Sequence, residues 1–302
     1  MKSLARQTKR AVNTVAGLFA VGALKTLRLF NPDRMGDFAA WVLRHVGPLL
    51  REHRIGRVNL VAAFPEKSPA EIEQILSGVW DNLGRVGAEI AHLDRLWDHD
   101  PTRKKPGRIL DSDDNLARLC ELRDDNKPAL IFAAHLSNWE LPAIAATAYG
   151  LNATVLYRRP NLGAVADALI NLRAGSMGTL VPTGLDAPVK LMRSLETGAH
   201  VALLVDQYNV QGVDVTFFGR RTKANPLIAR LARHCECPIH GVRVVRHLGH
   251  HYRLELTERL EPPRDAAGKP DVSGTMQMIT DVVEKWVREY PEQWLWVHRR
   301  WR

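Results

Sequence analysis

The stretch Ala129-Leu130-Ile131-Phe132-Ala133-Ala134-His135-Leu136-Ser137-Asn138-Trp139-Glu140 decides the fold. Its first six residues are an unbroken apolar run of strand length, and Leu141-Pro142 then opens a helix-length segment. The polar side chains gather at the join. His135 and Glu140 have four residues between them, so on one continuous helix they point apart, whereas across a strand-to-helix turn they converge. A neutral imidazole oriented by a carboxylate takes a proton from an alcohol, and the carboxylate stabilises the imidazolium that forms. The pair reads as a general base, His135, with Glu140 as its orienting partner, at the carboxyl end of a buried strand where open α/β sheets bind ligands. The same residues also fit a satisfied strand-end histidine and an acid decorating a first helical turn.

Outward from this stretch the text alternates. Short apolar runs at 129–134, 153–157, 200–205, 238–245 and 252–257 are interleaved with helix-length segments at about 139–149, 162–175, 186–197, 224–235 and 272–290. That alternation predicts an α/β fold, a mixed sheet covered by helices on both faces. Val213–Phe218, followed by Gly219-Arg220, reads as an extra strand or hairpin arm. Upstream, apolar residues at helical spacing from Asp37 to Arg54 predict one amphipathic helix, and Ser68-Pro69-Ala70-Glu71 caps another that runs to about Leu93. Residues 98–114 are rich in charge, proline and glycine and read as a linker.

Residues 1–30 carry six basic residues and no acid around the apolar run Val12–Leu24. That run is shorter than the roughly 20 residues of a spanning helix. A helix lying on the cytoplasmic leaflet fits it, with a core helix or a cleaved signal peptide as alternatives. The expected division is a membrane-anchor helix at 1–30, a helical segment and linker at 31–114, and an α/β catalytic core at 115–302.

With 302 residues, 45% of them hydrophobic, the chain has room for one large domain and an appendage. A formal charge of +9 implies acidic partners, whether nucleic acid, an anionic membrane or an acidic carrier protein. Cys120, Cys235 and Cys237 are odd in number and lack paired spacing, which argues against a disulfide framework and fits a reducing compartment. His234-Cys235-Glu236-Cys237 has no second ligand cluster at finger-like spacing, so no metal is expected.

Further candidates sit at strand ends. Arg158 and Arg159 directly follow the 153–157 strand, where they either grip a phosphate in forked geometry or stand in solvent. Backbone N–H groups near Asn138, or an arginine brought over the site, can meet an oxyanion. Ser137 competes as a nucleophile but lacks a G-x-S-x-G elbow. The closing 293–302 segment mixes tryptophans with cations, suited to stacking on bases, to a bilayer interface or to core packing.

His135-Leu136-Ser137-Asn138-Trp139-Glu140 closely resembles the H-x4-D/E motif of the lysophospholipid acyltransferase superfamily, in the form carried by bacterial lipid A late acyltransferases. Arg57-Val58-Asn59-Leu60, Phe64-Pro65-Glu66, Asn82-Leu83-Gly84-Arg85 with Glu89, Tyr157–Asn161, Phe217-Phe218-Gly219 and Pro291–Trp301 match in order, so the resemblance covers nearly the whole chain. It implies a glycerol-3-phosphate acyltransferase-like fold with N-terminal membrane-associating helices. It further implies transfer of a lauroyl or myristoyl chain from an acyl-carrier-protein thioester to a hydroxyl of a lipid A precursor, in a ternary complex without a further cofactor. Acyl carrier protein, a glycolipid acceptor and the inner-leaflet surface of the cell inner membrane are the implied partners, and nucleic acid is not. Arg173, allowing a one-residue gap, resembles a functional arginine of these enzymes. Asp206 resembles their strand-end aspartate, either in the site or holding its arginines. The rival functions are acylation of another glycolipid, such as phosphatidylinositol mannoside, and a non-catalytic membrane or nucleic-acid-binding protein on the same fold.

Overall fold

A computed structural model describes residues 21–22, 25–98, 107–110, 112–159 and 163–302, so most of the expected anchor at 1–30 lies outside the described residues. Among the described residues, no helix is long and apolar enough to cross a membrane.

The chain begins with a helical layer. Helix α1 (Pro32–Val46) is capped by Asn31, whose side chain accepts from the N–H groups of Asp33 and Arg34. The single helix expected from Asp37 to Arg54 is in fact two. Pro48 has no N–H with which to continue the ladder, a 3₁₀ turn forms at Gly47–Leu49, and α2 (Arg51–Ala63) starts afresh. Helix α3 (Pro69–Glu89) opens on a complete capping box between Ser68 and Glu71, as the sequence predicts. A short α4 (Leu93–Leu96) follows, and α5 (Asp113–Asp124) begins inside the segment expected as linker.

The alternating core then unfolds in order: β1 (Leu130–Ala133), α6 (Leu141–Ala148), β2 (Ala153–Tyr157), α7 (Gly163–Ala174), β3 (Thr179–Pro182), α8 (Ala187–Glu196) and β4 (His200–Leu204). A two-stranded hairpin, β5 (Tyr208–Phe217) and β6 (Arg220–Ala224), precedes α9 (Leu227–Cys235), β7 (Ile239–His247), β8 (His251–Leu256) and α10 (Val272–Glu289). The main sheet has six strands in the order β3-β2-β4-β1-β7-β8. It is parallel except for the β7–β8 pair.

The two faces of this sheet differ. Leu130, Phe132, Val201 and Leu203 pack against α8, α9 and α10 in a cluster that also takes Leu60 of α2 and Leu76 of α3. On the other face Val242, Val244, Leu254 and Leu256 pack with Leu119 and Leu122 of α5 and Leu141 and Ile144 of α6. Central strand β1 nevertheless buries only alternate residues: Leu130 and Phe132 are sealed, while Ile131 and Ala133 are half-buried. One face is packed and the other opens onto a cavity.

Gly84 sets the distance between α1 and α3. A Cβ there would stand 2.5 Å from the Ala39 carbonyl oxygen and 2.6 Å from Ala40 Cα, both rigid backbone. Gly87, one turn on, has nothing within 4 Å. Gly84→Ala should therefore cost about 1–3 kcal/mol in urea unfolding, whereas Gly87→Ala should stabilise by about 0.5–1 kcal/mol. Equal effects at the two positions would contradict the close approach.

Candidate active site

After β1 the chain turns sharply, and Ser137 takes up a left-handed conformation (φ 51°) that β-carbon-bearing residues seldom adopt. The turn is held from outside. The Ser137 N–H donates to the Gln293 carbonyl at 2.8 Å, and the Leu295 N–H donates to the His135 carbonyl at 3.1 Å, so the C-terminal segment clamps it. The Asn82 amide donates to the Gln293 carbonyl at 3.2 Å and to that of Ser137 at 3.4 Å. Asn138 is fully buried. Its amide donates to Glu89 at 2.8 Å, and its Oδ1 accepts from the Glu140 N–H at 3.1 Å. Burial pushes the Glu89 carboxyl up, but Arg246, Tyr252 and Asn138 more than offset it and leave it below its ordinary value. Arg246 pairs with it at 2.5 Å and the Tyr252 hydroxyl donates to it.

His135 projects from this turn beside Asp206. Ala133 and Leu204 are register partners, so the residues two places on, His135 and Asp206, leave neighbouring strands side by side. The His135 Nδ1–H donates to Asp206 Oδ1 at 2.8 Å, and its backbone N–H donates to Oδ2 at 2.9 Å. The Trp294 indole donates to the same Oδ2 at 2.8 Å. Burial pushes the Asp206 carboxyl up, yet the electrostatic pull of His135 on the carboxylate and these donors prevail and hold it down at about 2. With Nδ1 protonated, Nε2 carries the lone pair and accepts from the Gln207 amide at 3.2 Å.

The expected pairing of His135 with Glu140 is corrected by this geometry. Glu140 stands at the start of α6 and reaches across to α7, where Arg173 donates through Nε at 2.9 Å and Nη2 at 2.5 Å in a forked pair. The carboxylate on His135 is Asp206. Arg158 is exposed and lines the cavity, but Arg159 pairs with Asp167 at 2.8 Å and is absent from the cavity wall. Asn138 does not reach the wall either, because its side chain is spent on the turn. Ser137 Oγ is buried without a partner among the described residues and is likewise no wall atom, which removes it as a nucleophile.

His135, Glu140, Arg173 and Gln207 are among the residues that line a cavity of about 440 Å³. Arg158, Thr183, His200, Asn209 and Asn225 also reach the wall, but most of the rest is apolar, and Ala133, Ala143, Ala146, Ala153 and Ala202 supply the room by leaving the sheet and α6 without long side chains. The arrangement is an imidazole with a lone pair at Nε2 on the wall of a largely apolar space, suited to taking a proton. Among the described residues no group of three histidine, cysteine or acidic side chains is placed to hold a metal ion.

The model of the bacterial lipid A biosynthesis acyltransferases matches residues 3–302. The chain belongs to that family. It is 25% identical over 284 residues to the lipid A biosynthesis acyltransferase 2 of Shigella flexneri, covering 92% of this chain and 87% of the relative. It is 24% identical over 262 residues to the lipid A biosynthesis palmitoleoyltransferase of Escherichia coli (strain K12), covering 84% and 80%. The lipid A biosynthesis myristoyltransferase of the same organism is 23% identical over 288 residues, covering 92% and 84%.

In this acyltransferase-family chain, sequence reasoning missed Gln207, Trp294 and the Glu89–Arg246 pair as parts of the site. Gln207 was within reach, since it follows Asp206 at the same strand end. Trp294 carries no local signal, because its partner is 88 residues away.

Asp206 also sets an acid limit on stability. Its folded-state pKa of about 2 lies below the ordinary 3.8, so its contribution is full above pH 4 and disappears as pH falls through 2. The shift is worth about 2 kcal/mol. Urea midpoints from pH 5 to pH 2 should fall less steeply for Asp206→Asn than for the wild type; parallel slopes would contradict the ionised, bonded carboxylate.

Proposed function

We propose that this protein moves a fatty acyl chain from an acyl-carrier-protein thioester to a hydroxyl of a lipid A precursor. The observation that carries the reading is His135: Nδ1 is fixed by a buried carboxylate while Nε2 faces an apolar cavity. The acceptor hydroxyl displaces the Gln207 amide and gives its proton to Nε2 as its oxygen attacks the thioester carbonyl. Arg173, held rigid by Glu140, meets the developing oxyanion. When the intermediate collapses, the carbon–sulfur bond breaks and the Nε2 proton goes to the departing thiolate. No covalent acyl-enzyme is needed, because both substrates are present together. Family membership and the names of the relatives support a lipid A precursor as acceptor. Arg158 offers a phosphate contact there.

The test is transfer from a panel of acyl-carrier-protein thioesters to a Kdo-bearing tetra-acylated lipid A precursor. His135→Ala and Asp206→Asn should each lower kcat by about 10²–10⁴-fold. Arg173→Lys, which keeps the charge and loses the fork, should lose about 10²-fold. Arg159→Ala should stay within about twofold. Transfer to a different glycolipid only, such as phosphatidylinositol mannoside, would keep the chemistry and replace the acceptor. Activity untouched by His135→Ala would overturn the mechanism.

The surface supports action at an anionic membrane, the inner leaflet of the cell inner membrane. Phe38 and Trp41 stack on the outer side of α1 at 58% and 53% exposure, and Leu49 in the following turn is 83% exposed. Arg34, Arg51 and Arg54 stand exposed in the same layer, so apolar and cationic groups are offered together. The same net charge of +9 suits an acidic carrier protein. Flotation with vesicles containing anionic lipid should drop several-fold for the double variant Phe38→Ser, Trp41→Ser and weaken with salt for the wild type. Unchanged flotation would exclude this layer as the contact.

A further inference from the structure

We infer that His200, at the amino end of β4, is the floor of the acyl channel and fixes the longest chain the protein accepts. The inference rests on the acyl-transfer reading above. The cavity follows the sheet in levels. Ala153 and His200 are register partners, as are Val155 and Ala202 and, on the other side of β4, Ala202 and Ile131 and then Leu204 and Ala133. Because alternate strand residues share a face, His200, Ala202 and Leu204 line the same side, and all three belong to the cavity wall. His135 is at one end of this track and His200 at the other.

Among the described residues, His200 is the one imidazole of that wall besides His135. It is 5% exposed, and Nε2–H donates to the Leu122 carbonyl at 2.9 Å, tying β4 to α5 across the channel end. Its Nδ1 is buried without a partner among the described residues, a cost that an apolar floor would not carry. The strap to Leu122 explains why a ring that can both fill and tie is found here: it closes the channel with a fixed wall, where an untethered leucine would yield.

Register converts this into a length. His200 is level with the residue before Leu130, six positions short of His135, which is on the order of 20 Å at ~3.3 Å per residue. An extended polymethylene chain advances ~1.25 Å per carbon, from a 1.5 Å bond at the tetrahedral angle, so the track holds about 14–16 carbons. The Ala202 level is two residues nearer His135 and removes about five carbons from that reach.

The experiment measures Kd for non-hydrolysable S-alkyl pantetheine thioethers of 8 to 20 carbons, beside the product chain lengths from mixed acyl-carrier-protein thioesters by mass spectrometry. In the wild type each methylene should tighten binding about fourfold until a break near 14–16 carbons. His200→Ala should move the break up by two to four carbons, and Ala202→Leu should move it down by about five. The two variants act in opposite directions, and Ala202→Leu fills space without breaking the strap, so it stands even if His200→Ala fails to fold. A break that stays put in Ala202→Leu, or in a folded His200→Ala, overturns the inference. If no acyl thioester is turned over but the breaks move as described, the channel and its floor stand and the transfer reading fails; the reverse pattern sinks the floor alone.

Discussion

A carboxylate with almost no access to water organises this protein. Asp206 accepts from the His135 backbone, the His135 ring and the Trp294 indole, and those three donors come from the β1 turn and from the C-terminal segment. An anion at 5% exposure needs each of them, since an unpaired buried charge costs several kcal/mol. Meeting that demand does three things at once. It selects the tautomer in which Nε2 keeps its lone pair, it fixes the ring that lines the cavity, and it draws Trp294 onto the turn after β1, where Leu136 and Trp294 form an isolated antiparallel bridge.

Two acids stand near one histidine, and their surroundings separate their tasks. Asp206 accepts from the His135 ring, whereas Glu140 answers a permanent cation, the Arg173 guanidinium, with both of the latter side chains largely covered at 9% and 14% exposure. The H-x4-E spacing therefore describes a histidine bonded to one acid and the holder of an arginine, positioned by a single turn. Glu89, through Asn138 of the turn, and Asn82 hold that turn in its left-handed shape, and both reach it from α3, so the N-terminal helical layer helps to place His135.

Much of this was legible in the chain. The 129–140 stretch gives the strand and the turn that carries His135, and the Ser68–Glu71 cap gives the start of α3. Asp206 was visible as a strand-end acid but not as the partner of His135, because that requires β4 to lie beside β1 across 71 residues of sequence. Local pattern cannot supply strand order, and β3-β2-β4-β1-β7-β8 is far from chain order. β3 escaped notice because Thr179–Pro182 is too short to declare a period. The break between α1 and α2 was written in Gly47-Pro48, and the amphipathic spacing that continues across it hid the stop.

The open face of the sheet raises the question of what stabilises a fold with a void at its centre. Alanines along β1, β2 and β4 forgo the burial that leucines would give, and each missing side chain costs contact with its neighbours. The opposite face compensates by dense aromatic packing. Phe217 and Trp294 meet at 5.5 Å, Trp294 and Trp296 at 4.7 Å, and Phe218 and Phe64 at 5.2 Å, and the cluster ends in Arg300 at 5.2 Å over Phe217. Trp294 belongs to this cluster through its ring and to the candidate site through its N–H, which donates to Asp206. The tight face thus fixes the indole that fixes Asp206, and the open face is left to form the cavity that His135 lines.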